Sequence, residues 1–210
     1  AEDVVASVFG DWVRELKYFW FKETAIDGIS VAIARSGWSK QGGFEIYLKD
    51  GTKGTQLWNI VKEAGKPWGI GPGNPNWSER VESGLISYGG DTDKETNPFE
   101  VRMGKYVDLD VADDVIGIKA LRRIHAAGPQ RHSLGIILEG EEPITFGFSW
   151  NDIRKDGAKV GDMTTCAWSY RMKKNIGFAL ISTRCKAGDT IEVVRQAKVI
   201  PGTLTELPFL

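Results

Sequence analysis

The first part of the chain carries the residue patterns of helices and of a hairpin. In residues 1–10 and 52–64, apolar positions recur at helical spacing, and a glycine closes each run. Residues 17–33 are rich in aromatic and β-branched side chains on both sides of Asp27-Gly28, which predicts a β-hairpin. These elements predict a small sheet with helices packed against it.

Two more helices are predicted before the pattern changes, one over residues 76–84 and one that ends near Gly128. From Arg131 onward, short strand-like runs alternate with turns, as in a small β-barrel or sandwich. The predicted strands are residues 134–138, 144–148, 159–164, 176–181, 190–194 and 197–200. We therefore expect an α+β fold, with a mixed sheet and helix domain over residues 1–128 and a C-terminal β-barrel domain over residues 129–210.

A glycine-rich loop joins two strand-like runs at residues 35–47, which read R-S-G-W-S-K-Q-G-G-F-E-I-Y. Its glycines let the backbone turn sharply and approach a ligand closely; they are Gly37, Gly42 and Gly43. After the loop, apolar Phe44 and Ile46 alternate with Glu45, so the carboxylate is expected to face away from the core. An acid on a rigid strand is well placed to hold a ligand, although the pattern alone favours a solvated hairpin.

Composition narrows the function classes. The 210 residues carry a net charge of −1 with acids and bases interspersed, which predicts no nucleic-acid or membrane surface. No apolar run reaches the length of about 18 residues that a transmembrane helix needs. Cys166 and Cys185 lack a metal-type spacing, and no metal site is predicted. Free thiols in a cytoplasmic protein are the favoured interpretation, with a disulfide left open.

The glycine-rich loop resembles a signature of the folate-dependent aminomethyl- and methyltransferases, the family typified by the glycine-cleavage aminomethyltransferase. That signature reads G-[YFW]-[TS]-G-E-x-G-[YF]-E-[IV]. Here Gly37-Trp38-Ser39 and residues 43–47 match it, whereas Lys40-Gln41 replaces the usual Gly-Glu. The resemblance continues in order along the chain, through residues 80–84 (R-V-E-S-G), 88–89 (Y-G), 97–100 (N-P-F-E), 157–165 (G-A-K-V-G-D-M-T-T) and 174–179 (K-N-I-G-F-A).

The resemblance implies that the cofactor is tetrahydrofolate and that Glu45 binds its pterin ring. The pterin offers two adjacent donors, and one carboxylate can accept both in a bidentate pair. Trp38 and Tyr88 are candidate aromatic neighbours of the ring, and Trp168 lies in the barrel segment that reaches toward the folate in this family. Arg80 is a candidate contact for the folate or its carboxylate tail. From the residues alone, the aromatic side chains could equally fill a core, and Arg80 with Glu82 would form a solvated ion pair.

Four further runs are distinctive, namely residues 17–21 (K-Y-F-W-F), 34–39 (A-R-S-G-W-S), 69–75 (G-I-G-P-G-N-P) and 167–176 (A-W-S-Y-R-M-K-K-N-I). They look most like the subgroup of dimethylsulfoniopropionate demethylases. The resemblance therefore implies a tetrahydrofolate-dependent methyltransferase that takes a methyl group from a small sulfonium donor, giving methylthiopropionate and 5-methyltetrahydrofolate. One alternative is an aminomethyltransferase of glycine cleavage, which would need a lipoyl-carrier partner. A second alternative is a folate-binding module without transferase activity.

The resemblance covers roughly the C-terminal half to three-fifths of the family's length. The catalytic residues are therefore unknown and are expected in an N-terminal part. We expect the chain to be a fragment of a longer enzyme, and a separate N-terminal chain that complements it is the alternative. The identity of the methyl donor and the oligomeric state, including a homodimer, stay open.

Overall fold

The computed structural model describes residues 1–38, 42–74, 76–146 and 149–210. The chain forms two compact units, Ala1–Asn76 and Trp77–Leu210. Within the described residues, no helix is both long enough and apolar enough to span a bilayer.

The first unit is a three-stranded antiparallel sheet with two helices. The strands are β1 (Phe21–Ile26), β2 (Ile29–Ala34) and β3 (Glu45–Leu48), in the order β1-β2-β3, and the helices are α1 (Glu2–Phe9) and α2 (Gly54–Gly65). The central strand turns its alternate side chains Ile29, Val31 and Ile33 into the core. Asp27 and Gly28 have φ angles of 49° and 75°, the left-handed pair that a tight hairpin turn needs. The predicted hairpin and both helices are confirmed.

The second unit is built on a closed six-stranded barrel. Its strands are β4 (Arg131–Leu138), β5 (Asn151–Lys155), β6 (Ala158–Ser169), β7 (Lys174–Ser182), β8 (Thr190–Arg195) and β9 (Lys198–Thr205). They pair in the order β4-β7-β6-β5-β8-β9, and β9 closes the barrel on β4. Two helices precede the barrel, α3 (Trp77–Glu82) and α4 (Ile118–Ala127). The expected α+β fold with a C-terminal β-barrel is confirmed.

The barrel is tightly packed where β6 passes β7. The pairing register of β6 shifts between Met163 and Thr165, which brings backbone close to Gly177. A Cβ atom at Gly177 would lie 2.1 Å from the Thr165 carbonyl oxygen and 2.2 Å from the Met163 methyl group. Glycine is therefore required at this position by the close approach of the two strands.

One predicted strand differs from the structure. In place of a strand over residues 144–148, Phe146 forms an isolated bridge with Cys166, and residues 147 and 148 lie outside the described part of the chain. The strand in this region is β5, whose sequence N-D-I-R-K has a single apolar side chain, Ile153. A strand with one apolar residue gives too weak an alternation to be recognised from sequence.

The chain divides into its two compact units between residues 76 and 77, earlier than the predicted boundary near Gly128. Helix α3 packs on β6 and β7, and its Val81 is fully buried with Ile176 and Phe178 of the barrel wall. The segment before the barrel is thus part of the same compact unit as the barrel. The division into domains over residues 1–128 and 129–210 stays a prediction.

Both cysteines are free and buried. Burial raises the pKa of the Cys166 thiol to about 12, and burial also raises the pKa of the Cys185 thiol. Because the thiolate is the reactive form, we expect neither cysteine to react with Ellman's reagent in the native protein at pH 8. Both should react at once in denaturant. Rapid release of one equivalent of thionitrobenzoate on mixing the native protein with the reagent would contradict this arrangement.

Candidate functional site

Glu45 begins β3 and presents its side chain to solvent. Phe44 and Ile46 pack against the core of the first unit, so the carboxylate lies on the opposite face, as the alternation predicted. Its Oε2 atom accepts two hydrogen bonds, from the hydroxyl of Ser36 and from the phenol of Tyr47 at 3.1 Å. The bond to the Glu45 carboxylate raises the pKa of Tyr47, which keeps the phenol protonated and able to donate.

The residues on either side of Ser36 are hydrogen-bonded to the segment before β1. The Arg35 backbone N–H donates to Trp20 at 2.9 Å, and its carbonyl accepts from the Phe19 N–H at 2.8 Å. The Tyr18 phenol donates to the Gly37 carbonyl at 3.2 Å. Ser36 therefore lies between two anchored residues.

The Arg35 side chain adds a further connection. Its Nη2 donates to Glu2 Oε2 at 2.8 Å, and the guanidinium lies 4.6 Å from the centre of the Phe44 ring. The hydrogen bond from Arg35 lowers the pKa of Glu2. Arg35 thus links α1, the end of β2 and the residue before Glu45.

Trp38 lies at the edge of the described part of the glycine-rich loop. Its side chain is 38% exposed. The positions at which the sequence departs from the family signature, Lys40 and Gln41, lie outside the described residues, together with Ser39. The role of Trp38 as a neighbour of the pterin ring stays a prediction.

In the second unit, Arg80 is fully buried in α3. Its Nη1 donates to Asp91 Oδ2 at 2.6 Å and to the Leu85 carbonyl at 2.8 Å. Its Nη2 donates to Thr165 Oγ1 at 3.1 Å, and the guanidinium lies 4.2 Å from the centre of the Trp77 ring. The interpretation of Arg80 as half of a solvated ion pair with Glu82 is therefore wrong.

Glu82 is also buried, and its partners differ from those of Arg80. Its carboxylate accepts from Ser169 Oγ at 2.5 Å and from Arg171 Nε at 2.7 Å. Its backbone carbonyl accepts from the N–H groups of Phe209 and Leu210 at 3.0 and 3.2 Å. Side chains two residues apart in a helix point to different sides, so the spacing already argued against an Arg80–Glu82 pair. Sequence reasoning did not use that signal.

Asp91 connects these groups, and it was not among the predicted site residues. Besides Arg80, it accepts the Thr164 hydroxyl at 2.8 Å on Oδ1 and the Ser87 backbone N–H at 2.8 Å on Oδ2. The side chain is 3% exposed. Asp91 therefore fixes the turn that contains Tyr88 against α3 and β6.

Tyr88 projects from that turn and is 76% exposed. It lines a cavity of about 230 Å³ together with Ile86, Asp93, Asn97 and Met103 among others. Trp168, on β6, is half-buried, and its carbonyl accepts the Ser78 hydroxyl at 2.8 Å. Three of the predicted site residues thus belong to the second unit, namely Arg80, Tyr88 and Trp168, and two belong to the first, namely Trp38 and Glu45.

Comparisons with known proteins agree with the fold. Residues 1–111 match the family model described as the GCVT N-terminal domain, and residues 131–210 match the glycine cleavage T-protein C-terminal barrel domain. The structure resembles a crystal structure of glycine cleavage system aminomethyltransferase T from Bartonella henselae, with a TM-score of 0.77 over 99% of this chain and 56% of that one. At 21% identity, that likeness shows the fold.

Curated relatives carry two different names. The chain is 36% identical to dimethylsulfoniopropionate demethylase DmdA of Ruegeria pomeroyi, over 98% of this chain and 56% of the relative. It is 30% identical to an aminomethyltransferase of Caldanaerobacter subterraneus, over 100% of this chain and 56% of that relative. The chain therefore spans little more than half the length of these relatives.

The buried network of Arg80 predicts a large loss of stability on substitution. In Arg80→Ala, Asp91 would keep a buried charge without its cation, so the free energy of unfolding should fall by roughly 3–5 kcal/mol. Urea unfolding followed by circular dichroism measures this change.

A matched control removes an exposed ion pair. Lys66 pairs with Glu63 at 2.5 Å on the surface, and each side chain is 64% exposed. Lys66→Ala should change the free energy of unfolding by less than about 1 kcal/mol. Equal losses in Arg80→Ala and Lys66→Ala would show that the buried network contributes no more than a surface pair.

Proposed function

Because the chain belongs to the glycine cleavage T-protein family, we propose that it forms part of a tetrahydrofolate-dependent methyltransferase and that Glu45 binds the pterin ring. One observation carries this proposal. Glu45 is an exposed carboxylate on a strand whose neighbours pack into the core, and the hydroxyls of Ser36 and Tyr47 donate to its Oε2 atom. An acceptor in a fixed orientation loses little freedom when a ligand binds.

The chemistry of Glu45 fits the pterin. Both hydroxyl bonds end on Oε2, and no described residue donates to Oε1. A planar ligand with two adjacent N–H donors can therefore donate to the open Oε1 atom and, once one hydroxyl leaves Oε2, complete a bidentate, charge-assisted pair. Bound tetrahydrofolate would supply the nitrogen that accepts the one-carbon group. The role of this chain is to bind and orient that cofactor.

The other predicted residues have different roles in the proposed site. Trp38 follows the anchored loop residues and offers an exposed aromatic face, while Tyr88 and Trp168 offer aromatic surface in the second unit. Arg80 is proposed to act on the folate or its tail through the turn that carries Tyr88, because its guanidinium is fully buried and bonded to Asp91 and Thr165.

For the transferred group, we propose the methyl of a small sulfonium such as dimethylsulfoniopropionate. The relative at 36% identity is named for that demethylation, whereas the relatives named aminomethyltransferase are between 28% and 34% identical. In a sulfonium the leaving group is already a good one, so the transfer requires alignment more than it requires an acid catalyst. The aminomethyl reaction of glycine cleavage is the second candidate, supported by those relatives.

The activity is proposed for the whole enzyme, since this chain covers 56% of the length of its relatives. The remaining part would supply the catalytic residues. Two free cysteines fit a reducing compartment and support a cytoplasmic location. The proposed partners are therefore the methyl donor, the rest of the enzyme and, as an open possibility, a second copy in a homodimer.

Glu45→Ala tests the cofactor site. The substitution removes two charge-assisted hydrogen bonds, so the Kd for tetrahydrofolate should rise by at least about 100-fold. Quenching of tryptophan fluorescence in oxygen-free buffer measures binding. The melting temperature should not change, because Glu45 is exposed.

Glu23→Ala is the matched control, since Glu23 is another exposed acid of the same sheet and pairs with Lys49 at 2.7 Å. Its Kd should equal that of the wild type. If Glu45→Ala binds as tightly as Glu23→Ala, Glu45 is not the pterin ligand.

The methyl donor can be tested by product analysis. The chain, alone and together with the N-terminal part of its own protein, is incubated with tetrahydrofolate and dimethylsulfoniopropionate carrying an isotopically labelled methyl group. We expect labelled 5-methyltetrahydrofolate by mass spectrometry. If methylenetetrahydrofolate forms from an aminomethylated lipoyl carrier and the sulfonium gives no product, the aminomethyl reaction is the correct one.

A further inference from the structure

The two hydroxyl groups on Glu45 leave no acceptor site on Oε2 for a ligand that must bond both oxygens. A carboxylate has about four acceptor sites, two on each oxygen. Ser36 and Tyr47 both donate to Oε2, so that oxygen is already filled. A ligand that donates one hydrogen bond to each oxygen needs one of these hydroxyls to leave. The question is which of the two leaves.

Ser36 is held in place by its surroundings. Its neighbours Arg35 and Gly37 are anchored through bonds to Trp20, Phe19 and Tyr18. Its side chain is short, with a single rotatable bond before the hydroxyl, and little entropy is lost in holding it. The hydroxyl approaches Glu45 from the end of β2, because Ala34 pairs with Glu45 across the sheet.

Tyr47 is placed differently. It lies two residues after Glu45 on the same exposed face of β3, and its side chain is 55% exposed. Its bond to Oε2 is 3.1 Å long, beyond the usual O–H···O distance of about 2.7–2.8 Å. An exposed phenol that turns away from the carboxylate can donate to water instead. Its departure therefore costs little.

We propose that Ser36 is the positioning residue of Glu45, whereas the Tyr47 hydroxyl occupies the second acceptor site on Oε2 only until the ligand displaces it. This proposal rests on the assignment of the pterin to Glu45. It gives the two hydroxyls opposite effects on affinity. Ser36 supports binding because it orients the carboxylate, and Tyr47 opposes binding because it competes for the same lone pair.

The experiment compares four variants by titration with tetrahydrofolate in oxygen-free buffer. In Ser36→Ala, the Kd should rise about 3- to 10-fold, the effect of one net hydrogen bond. Ser36→Thr keeps the hydroxyl and should bind within about twofold of the wild type. In Tyr47→Phe, the Kd should fall about two- to threefold, because the competing hydroxyl is gone. Tyr106→Phe, at an exposed tyrosine of the second unit, is the control and should have no effect.

A ligand analogue separates orientation of Glu45 from general damage. Tetrahydrofolate without its exocyclic amino group keeps one donor and needs one acceptor oxygen. For this analogue, Tyr47→Phe should give no gain in affinity, since no hydroxyl has to leave. The loss in Ser36→Ala should also shrink. A structural defect would weaken both ligands equally.

The outcomes separate this inference from the proposed function. If Glu45→Ala loses binding while Tyr47→Phe binds no more tightly than the wild type, or while Ser36→Ala binds like the wild type, the division of roles between the hydroxyls is wrong. If Glu45→Ala binds like the wild type, or the wild type does not bind at millimolar tetrahydrofolate, the cofactor assignment fails and this inference fails with it.

Discussion

The second unit depends on the cost of burying charge. Arg80 and Asp91 are both removed from water, and isolated charges in a protein interior would each be strongly unfavourable. They are tolerated because Asp91 also accepts from Thr164 and Ser87, while Arg80 also donates to Thr165. Those bonds require α3, the following turn and β6 to take one fixed arrangement. Polar satisfaction thus specifies how the helix docks on the barrel.

Carboxylates in this protein have different roles according to their exposure. Glu82 is buried and fully engaged by Ser169 and Arg171, so its bonds connect parts of the fold. Glu45 is exposed, and its bonds leave one oxygen without a described donor. Only the second arrangement can take part in binding a ligand. Exposure combined with a fixed orientation, rather than charge alone, distinguishes a candidate binding residue from a structural one.

The sheet fixes the direction in which the Glu45 side chain points. Alternation along β3 puts Ile46 in the core and Glu45 outside, so packing on one face holds the acid on the other. Antiparallel pairing of Ala34 with Glu45 brings Ser36, two residues beyond the end of β2, to the same place. On such a strand, burial of the apolar neighbours holds the binding residue in position. Its own side chain stays exposed and available to a ligand.

Local patterns determined most elements of this protein, since strand alternation, helical spacing and the Asp27-Gly28 turn depend on neighbouring residues. The exception is β5, whose single apolar side chain gives too weak a pattern. A contiguous motif likewise singled out Glu45. The partners of the buried charges were decided only by the tertiary structure, because Arg80 and Glu82 meet Thr165 and Ser169, which lie 85 and 87 residues further along the chain. In the sequence, a charged residue that will be exposed looks the same as one that will be buried. Their difference arises when distant segments come together and exclude water.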